Sequence, residues 1–340
     1  MANCLVRRIS TIIGLLLAAL FGLAADAQVV IKLGTVAPEG SVWHDGLMRM
    51  RQQWKDASGG QVELRIYAGG VLGSEEELVR KFQRRALDAV ALSSGGLPVV
   101  DASFRCLNVP MLFESTDNLS FVRAGAAPAI EKRIEQRGFK VLNWAPAGWV
   151  QIFAKQPVRT PDDMRKLRVW TSAGDPDTER IYKKLGFNAV PLPATDFLTS
   201  LQTGLLDAVP TMPLFALLER SYTVANHMTL LNWTPLNSAT LVSAQAWARV
   251  PPELQPRLLA IARAEGDALG VRAEKAGEEA VREMQGRGLK VVRLSEAERA
   301  AWRSETEKAF PLYRGTLCPV DLFDEVIRLD RAWPDNAAHR

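Results

Sequence analysis

The sequence predicts an α/β protein of two lobes, each built on a mostly parallel sheet. Helix-start signals alternate with short apolar strands along most of the chain, which is the order that βα units require. The chain has 340 residues. Single hydrophobic cores stop growing near about 250 to 300 residues, so we expect two lobes.

The first lobe begins with strand and helix signals in regular order. Ser74 followed by Glu77 is a capping box, in which each side chain bonds the backbone N–H of the other residue, so a helix begins there. The predicted elements are a strand at 29–34, a helix at 42–58, a strand at 62–67, a helix at 74–85 and a strand at 89–92. Strands at 139–143 and 150–154 then lead into the second lobe.

The second lobe is predicted from residues 157–213. Thr160 is a helix N-cap followed by Pro161, and Asp175 precedes Pro176 in the same way. The predicted elements are a short helix from Thr160, a strand at 167–170, a helix from Asp175 to Gly186, a turn at 190–193, a helix that Thr195 caps and Gly204 ends, and a strand at 205–209. Ligands of such sheets bind at the carboxyl ends of the strands.

The last third of the chain is mostly helical. Residues 238–248 are predicted to form a strand that returns toward the first lobe. Apolar residues recur at helical spacing over 251–286, which predicts a long connecting helix. Ser295 and Glu298 form another capping box and begin a helical tail.

The N-terminus has the composition of a signal peptide at 1–27. Residues 1–8 are basic, 9–24 are apolar, and the Ala-Asp-Ala sequence at 25–27 is a small-residue cleavage site. A membrane anchor is the alternative, but the short apolar core and the small-residue exit favour cleavage. We therefore expect export to the periplasm. The net charge of +4 is small and dispersed, which excludes nucleic acid as a partner.

Two cysteines, Cys106 and Cys318, remain after the predicted cleavage. Export permits a disulfide between them, and their separation along the chain leaves the pairing open. Of the two states we favour free, buried thiols.

Catalytic and metal-binding motifs are missing from the sequence. The three histidines are far apart and have no metal-ligand spacing, so we expect no metal and no cofactor. The glycine-rich residues 69–74 lack the lysine of a phosphate loop and are interpreted as a turn before a helix. An exported α/β enzyme that uses Asp175, Asp207 or Glu219 as acid or base stays as the alternative to a binding protein.

Arg168 is the candidate anion-binding residue. It lies on a short apolar strand, KLRVW, just before a helix start, where a guanidinium can face a ligand anion. A planar guanidinium donates two parallel hydrogen bonds to one carboxylate. Structural pairing with an acid is the ordinary role of such an arginine.

Several separated blocks resemble the solute-binding proteins of tripartite ATP-independent periplasmic (TRAP) transporters, of the dicarboxylate-binding DctP type. The family pattern is roughly P-x-D-x-x-G-x-K-x-R, then L-G followed by a proline, then A-L-Q-T-G-x-x-D. Further similar blocks lie at 34–46, 59–78 and 109–113. The matching residues are Pro161, Asp163, Lys166, Arg168, Leu185, Gly186, Pro191, Leu201, Gln202, Thr203, Gly204 and Asp207.

The resemblance implies a two-lobed fold like that of type II periplasmic binding proteins, with hinge strands and a long connecting helix. It places the first lobe at 28–147 and 237–280 and the second lobe at 148–236 and 281–340. It also implies that the protein is no enzyme but a receptor, which closes around an organic acid whose carboxylate pairs with Arg168. Two membrane permease subunits driven by an ion gradient are the implied partners. Some apolar-cleft relatives are partnered instead with a tetratricopeptide-repeat protein, and the sequence leaves that partner open.

The chain departs from better-known branches of this family toward an apolar site. It has Trp149, Val150 and Gln151 where a polar or basic residue is frequent, and Trp170 where proline is frequent. Trp43, Trp144, Trp149, Trp170 and Trp233 all fall in segments that border the family's cleft. We therefore expect a monocarboxylate with a hydrophobic or aromatic body. The candidate ligand-binding residues are Arg168, Trp170, Thr211, Trp149, Val150, Gln151, Trp43, Ser94 and Trp233.

Overall fold

The computed structural model describes residues 28–193 and 196–334, so the predicted signal peptide and the predicted N-cap Thr195 lie outside the described residues. Within these ranges nine strands form one continuous sheet. They are β1 (Val29–Thr35), β2 (Val62–Tyr67), β3 (Ala89–Ser93), β4 (Phe139–Ala154), β5 (Arg168–Ser172), β6 (Asn188–Leu192), β7 (Ala208–Thr211), β8 (His227–Ser243) and β9 (Lys290–Val292).

The helices cover the two halves of this sheet. They are α1 (Val42–Ala57), α2 (Glu75–Gln83), α3 (Leu97–Val100), α4 (Thr116–Gln136), α5 (Pro161–Arg165), α6 (Pro176–Lys184), α7 (Phe197–Thr203), α8 (Pro213–Leu218), α9 (Ala244–Trp247), α10 (Gln255–Gly286), α11 (Glu296–Glu307), α12 (Phe310–Leu312) and α13 (Val320–Arg331). Short 3₁₀ turns lie at Ala102–Leu107 and Ser221–Thr223, and a π turn lies at Tyr313–Leu317.

Two long antiparallel strands connect the halves of the sheet. The order is β2-β1-β3-β8-β4-β7-β5-β6, with β9 beside β8. The first half of β4 pairs with the second half of β8, which in turn pairs with β3. The second half of β4 pairs with β7. β4 and β8 therefore cross between the lobes, as hinge strands do.

The predicted strands at 139–143 and 150–154 are one strand, β4. Pro146 and Gly148 look like a break in the sequence, but a register shift between them absorbs both residues within the β4–β8 ladder. Gly148 has a φ of +121°, a backbone conformation that favours glycine. The interruption that the sequence predicts is thus a bulge between the lobes.

Residues 190–193, predicted to be a turn, fall mostly within strand β6. β6 pairs in parallel with β5 and ends the sheet. Proline is tolerated in an edge strand because its missing N–H leaves no ladder partner unsatisfied on the open side. Pro191 is therefore compatible with a strand here, although it suggests a turn in the sequence.

Helix α10 has 32 residues and packs along β4. It lies close to β4 at Gly266, where an added Cβ would lie 2.3 Å from the carbonyl oxygen of Trp144. At its N-terminal part, Leu258 accepts a hydrogen bond of 3.0 Å from Trp54 Nε1 of α1. The predicted connecting helix is thus present and is packed against the protein core.

The C-terminal segment packs against helix α4 and is bonded to the 3₁₀ turn at Ala102–Leu107. In α13, Asp321 bonds Arg133 of α4 at 2.8 Å, and α13 packs along α4. Just before α13, Cys318 forms a disulfide with Cys106, with Cα atoms 5.4 Å apart. Our preference for free thiols was wrong, because the fold brings together two cysteines that are 212 residues apart in sequence. The lobe boundaries stay a prediction, and this tail contacts both lobes.

Candidate functional site

Three adjoining cavities lie where β4 and β8 cross between the lobes. Cavity A, about 160 Å³, is lined by residues that include Thr35, Trp43, Glu75, Met212, Phe215 and Leu269. Cavity B, about 390 Å³, is lined by residues that include Glu75, Arg105, Val150, Trp170, Asp175 and Trp233. Cavity C, about 290 Å³, includes Trp43, Trp149, Gln151, Met212 and Glu274. Because neighbouring cavities share residues, they form one interlobe cleft.

Cavity A is mostly apolar, and an aromatic pair forms part of its lining. Trp43 of α1 stacks on Phe215 of α8 with ring centroids 5.4 Å apart and an interplanar angle of 19°. The Trp43 Nε1–H is buried and has no hydrogen-bond partner. The volume of about 160 Å³ resembles that of an apolar cavity of about 150 Å³ that admits benzene. A ring or a branched alkyl group therefore fits cavity A.

Cavity B has aromatic walls of fixed orientation. Trp170 donates its Nε1–H to the Leu192 carbonyl at 2.8 Å and packs edge-on against Phe197 at 4.7 Å. Trp233 is 2% exposed and packs against Tyr182, with ring centroids 5.9 Å apart. These contacts hold both indoles in place, so the walls are formed before a ligand enters.

Two polar groups of cavity B are relevant to an anion. Thr171 lines the cavity, and its buried Oγ1 has no hydrogen-bond partner. Arg105 lies in the 3₁₀ turn beside the disulfide, and its Nη2 is 2.9 Å from Asp177 and 3.4 Å from Asp175. Among the described residues that line the three cavities, Arg105 is the only arginine, lysine or histidine.

The structure gives no support for Arg168 as the ligand-binding arginine. Its Nε and Nη2 donate to the two Asp207 carboxylate oxygens at 2.7 and 2.8 Å, and its side chain is 46% exposed. These hydrogen bonds from Arg168 hold the pKa of Asp207 below its ordinary value. Arg168 is the first residue of β5, whereas Trp170, Thr171 and Ser172 at the carboxyl end of the same strand line cavity B. In the structure Arg168 thus makes the pairing with an acid that the sequence left as its alternative role.

The other predicted site residues are divided among the cavities. Val150 and Ser94 line cavity B, and the Ser94 hydroxyl donates to the Asn237 carbonyl at 3.0 Å. Trp149 and Gln151 line cavity C. Gln151 is 4% exposed and bonds Asn232 at 2.8 Å, so it is held by the protein itself.

Two predicted residues lie elsewhere. Thr211 is buried in β7 opposite Gln151 and lines none of the three cavities. Trp144, which the sequence placed at the cleft, donates its Nε1–H to Glu131 at 2.9 Å and lines a separate cavity beside α4. The residues on either side of Thr211, Pro210 and Met212, reach cavities B and A instead.

Glu75 lines the cleft but is not among the residues predicted from the sequence. It is the first residue of α2, its carboxylate faces both cavity A and cavity B, and burial raises its pKa. The capping box that is visible in the sequence is formed by Ser74 and Glu77, on either side of Glu75. The glycine pair Gly95–Gly96, which makes room for this carboxylate, was the available signal.

The comparisons with known proteins agree with this architecture. The DctP family, described as bacterial extracellular solute-binding protein, family 7, matches residues 33–314. This chain belongs to that family. It is a solute-binding receptor of the TRAP transporter type, in a family of periplasmic transport proteins rather than enzymes.

Two relatives show how far the likeness extends. A solute-binding protein of Verminephrobacter eiseniae is 24% identical over 271 residues, which are 79% of this chain and 80% of that protein. The C4-dicarboxylate-binding periplasmic protein DctP of Rhodobacter capsulatus is 26% identical over 287 residues, 82% of this chain and 84% of that protein.

Solved structures of such receptors share the two-lobed fold. A TRAP periplasmic solute-binding protein of Ochrobactrum anthropi, with its C-terminus bound in its ligand-binding pocket, has a TM-score of 0.85 at 22% identity. The match covers 92% of this chain and 98% of that one. A Pseudomonas putida receptor with bound D-glucuronate has a TM-score of 0.77 at 22% identity, covering 87% and 96%. Across 28–193 and 196–334, no helix of this receptor has the length and apolarity to span a bilayer.

The family pattern, counted from Pro161, explains the misplaced arginine. In P-x-D-x-x-G-x-K-x-R the lysine falls on position 168 and the final arginine on position 170. Lys166 therefore occupies the glycine position, Arg168 the lysine position and Trp170 the arginine position, so Lys166 and Arg168 do not match the pattern in this register. This register is readable from the sequence alone and predicts Trp170 at the family's arginine position.

Proposed function

We propose that this receptor captures a monocarboxylate with a hydrophobic or aromatic body in cavities A and B and delivers it to a TRAP permease. The observation that carries the proposal is cavity A, an apolar chamber with an aromatic pair and with no arginine, lysine or histidine among its described lining residues. Burial of an apolar group there removes its surface from water and stabilises the complex.

The carboxylate is assigned to cavity B. Arg105 is the one described cation of the cleft lining, and the unpartnered Thr171 Oγ1 is a further donor on the same cavity. A single cation favours one carboxylate over two, because a second buried carboxylate would have no positive partner. Carboxylates are present in the glucuronate and orotate bound to two solved receptors of this fold.

Two interlobe contacts that are present in the structure would hold the closed form around the ligand. The Trp43–Phe215 stack and the bonds from Arg105 to Asp175 and Asp177 both join the first lobe to the second. A ligand that contacts both sides shifts the balance toward the closed form by its greater affinity for that form. The strands β4 and β8 are the hinge in this proposal.

The cellular setting follows from the family. We propose that residues 1–27 are a cleaved signal peptide and that the receptor acts in the periplasm. Two membrane permease subunits receive the ligand, or a tetratricopeptide-repeat protein does so in their place. Ligand binding without chemical change distinguishes this receptor from an enzyme that acts on the same acids.

Calorimetry with matched acids tests the proposal. We expect 3-phenylpropanoate and 4-methylpentanoate to bind, and succinate and D-glucuronate to bind at least tenfold more weakly. Native mass spectrometry of receptor purified without refolding identifies a retained ligand. Tight binding of succinate together with no binding of either hydrophobic acid would refute the proposal. Turnover of a bound acid would instead support the enzyme alternative.

A further inference from the structure

The carboxyl group of Glu75 lies between the two cavities that the proposed ligand would occupy. Glu75 and Leu236 are the described residues shared by the linings of cavity A and cavity B. A ligand whose body lies in A and whose carboxylate lies in B must therefore pass close to Glu75. The part of the ligand between its apolar body and its carboxylate must therefore be a group that can lie beside Glu75.

The strand-to-helix loop after β3 is built around this carboxyl group. Glu75 accepts hydrogen bonds from the Ser93 backbone N–H at 2.7 Å and from Ser93 Oγ at 2.8 Å. An added Cβ at Gly95 would lie 3.0 Å from Glu75 Oε2, and one at Gly96 would lie 2.9 Å from Glu75 Cβ. Ser93 thus donates to the carboxyl group, and Gly95 and Gly96 leave space for it.

These donors favour the ionised form of Glu75, because hydrogen bonds to a carboxylate stabilise its charge. Burial acts in the opposite direction and raises the pKa of Glu75. A positive charge placed beside Glu75 would add to the effect of these donors and favour the ionised form. That charge would offset the loss of water around the carboxylate.

The protein does not supply this positive charge. Within 28–193 and 196–334, no arginine, lysine or histidine nitrogen lies within 4.0 Å of the Glu75 carboxylate, which forms no ion pair there. Glu265, the other carboxylate on cavity A, bonds Arg49 at 2.9 Å and also bonds Arg272. Of these two carboxylates, Glu75 alone is left for a cation from outside.

We propose that Glu75 binds a cationic nitrogen of the ligand, so that the captured acid is an amino acid with an apolar side chain. The ammonium group bonds Glu75, the carboxylate lies toward Arg105 in cavity B, and the side chain fills cavity A. This inference rests on the proposed function and narrows its ligand class. A neutral Glu75 that donates to the carboxylate of a plain acid is the opposing possibility.

Pairs of probes with and without the ammonium group test this inference. We expect the receptor to bind L-phenylalanine at least tenfold more tightly than 3-phenylpropanoate, and L-leucine at least tenfold more tightly than 4-methylpentanoate, by calorimetry. Glu75→Gln keeps the shape and removes the charge. It should abolish the preference by weakening the two amino acids, with little change for the plain acids.

Glu77→Gln is the matched control. It removes a charge from the same helix, lies on none of the three cavities, and keeps the capping box because glutamine also serves at that position. It should leave the preference unchanged. The preference of the unmodified receptor is measured independently of whether Glu75→Gln folds.

The outcomes separate this inference from the proposed function. Tighter binding of the plain acids, unaffected by Glu75→Gln, overturns the role of Glu75 and supports the hydrophobic monocarboxylate. Binding of none of the four compounds overturns both.

Discussion

Arg168 and Arg105 differ in the carboxylates with which they already pair. Arg168 has both carboxylate oxygens of Asp207 at 2.7 and 2.8 Å, at the amino end of its strand. Arg105 lines cavity B and reaches Asp175 and Asp177 across the cleft. A ligand carboxylate can replace Asp175 at the longer contact of 3.4 Å without breaking the shorter one.

Arg105→Ala is expected to weaken the binding of carboxylate ligands by about tenfold to a hundredfold. A hydrogen bond between charged groups is worth about 1.5 to 3 kcal/mol, and about 1.4 kcal/mol corresponds to tenfold in affinity. Arg168→Ala removes the same side chain outside the three cavities and should leave the affinity unchanged. Calorimetry on both variants checks this, and the reverse result would restore Arg168 as the ligand-binding residue.

The ion pair between Arg168 and Asp207 makes the stability of the protein depend on pH in the acid range. Arg168 lowers the pKa of Asp207, so the ionised carboxylate stabilises the folded state above the unfolded-state pKa of about 3.9. That stabilisation is lost as the pH falls through the lower folded-state pKa. The difference in unfolding free energy between the native chain and Asp207→Asn should therefore shrink below about pH 4. Urea unfolding as a function of pH measures it, and a constant difference would contradict the linkage.

At the scale of elements, the contact between α10 and β4 depends on one small residue. The backbone of β4 at Trp144 comes so close to α10 that only a glycine fits at position 266. Gly277, further along the same helix, has no atom within 4 Å of an added Cβ. Substitution at Gly266 therefore tests close packing, whereas substitution at Gly277 tests only the low helix propensity of glycine.

Gly266→Ala should destabilise the protein by about 1 to 3 kcal/mol, because the new methyl group meets a backbone oxygen that cannot turn away. Gly277→Ala should instead stabilise it by about 0.5 to 1 kcal/mol, the ordinary gain of alanine over glycine inside a helix. Chemical unfolding of both variants measures the pair. Equal effects in the same direction would mean that α10 does not approach β4 as closely as described.

The strands illustrate which local signals can mislead. Pro191 and the Pro146–Gly148 pair both suggest turns in the sequence, yet they lie in β6 and β4. Proline and glycine predict a turn from local backbone preferences. Their place at an edge or at a bulge depends on neighbouring strands that are remote in sequence.

At the scale of the whole molecule, the Cys106–Cys318 disulfide closes most of the chain into one loop. It joins the turn that carries Arg105 to the segment before α13. By restricting the unfolded chain, such a bond stabilises the folded state. Because Cys106 follows Arg105, which lines cavity B, the disulfide also links this part of the cavity lining to the C-terminal segment.

Replacing both cysteines by serine should lower the free energy of unfolding by about 2 to 5 kcal/mol. Guanidinium unfolding with and without a reductant measures this, and the serine variant, which has no disulfide, should not respond to the reductant. Alkylation of two thiols in the unreduced protein would show that the bond is not formed.

The sequence alone determined the α/β class, the order of most helices and strands, and the family. Caps such as Thr160 and Ser295 act within one helical turn, so they are visible without a structure. The tertiary structure decided that Arg168 pairs with Asp207, that Cys106 pairs with Cys318, and that Glu75 lies between two cavities. Each of these depends on which remote segments pack together, because a side chain's partner is chosen by the whole fold and not by its neighbours in sequence.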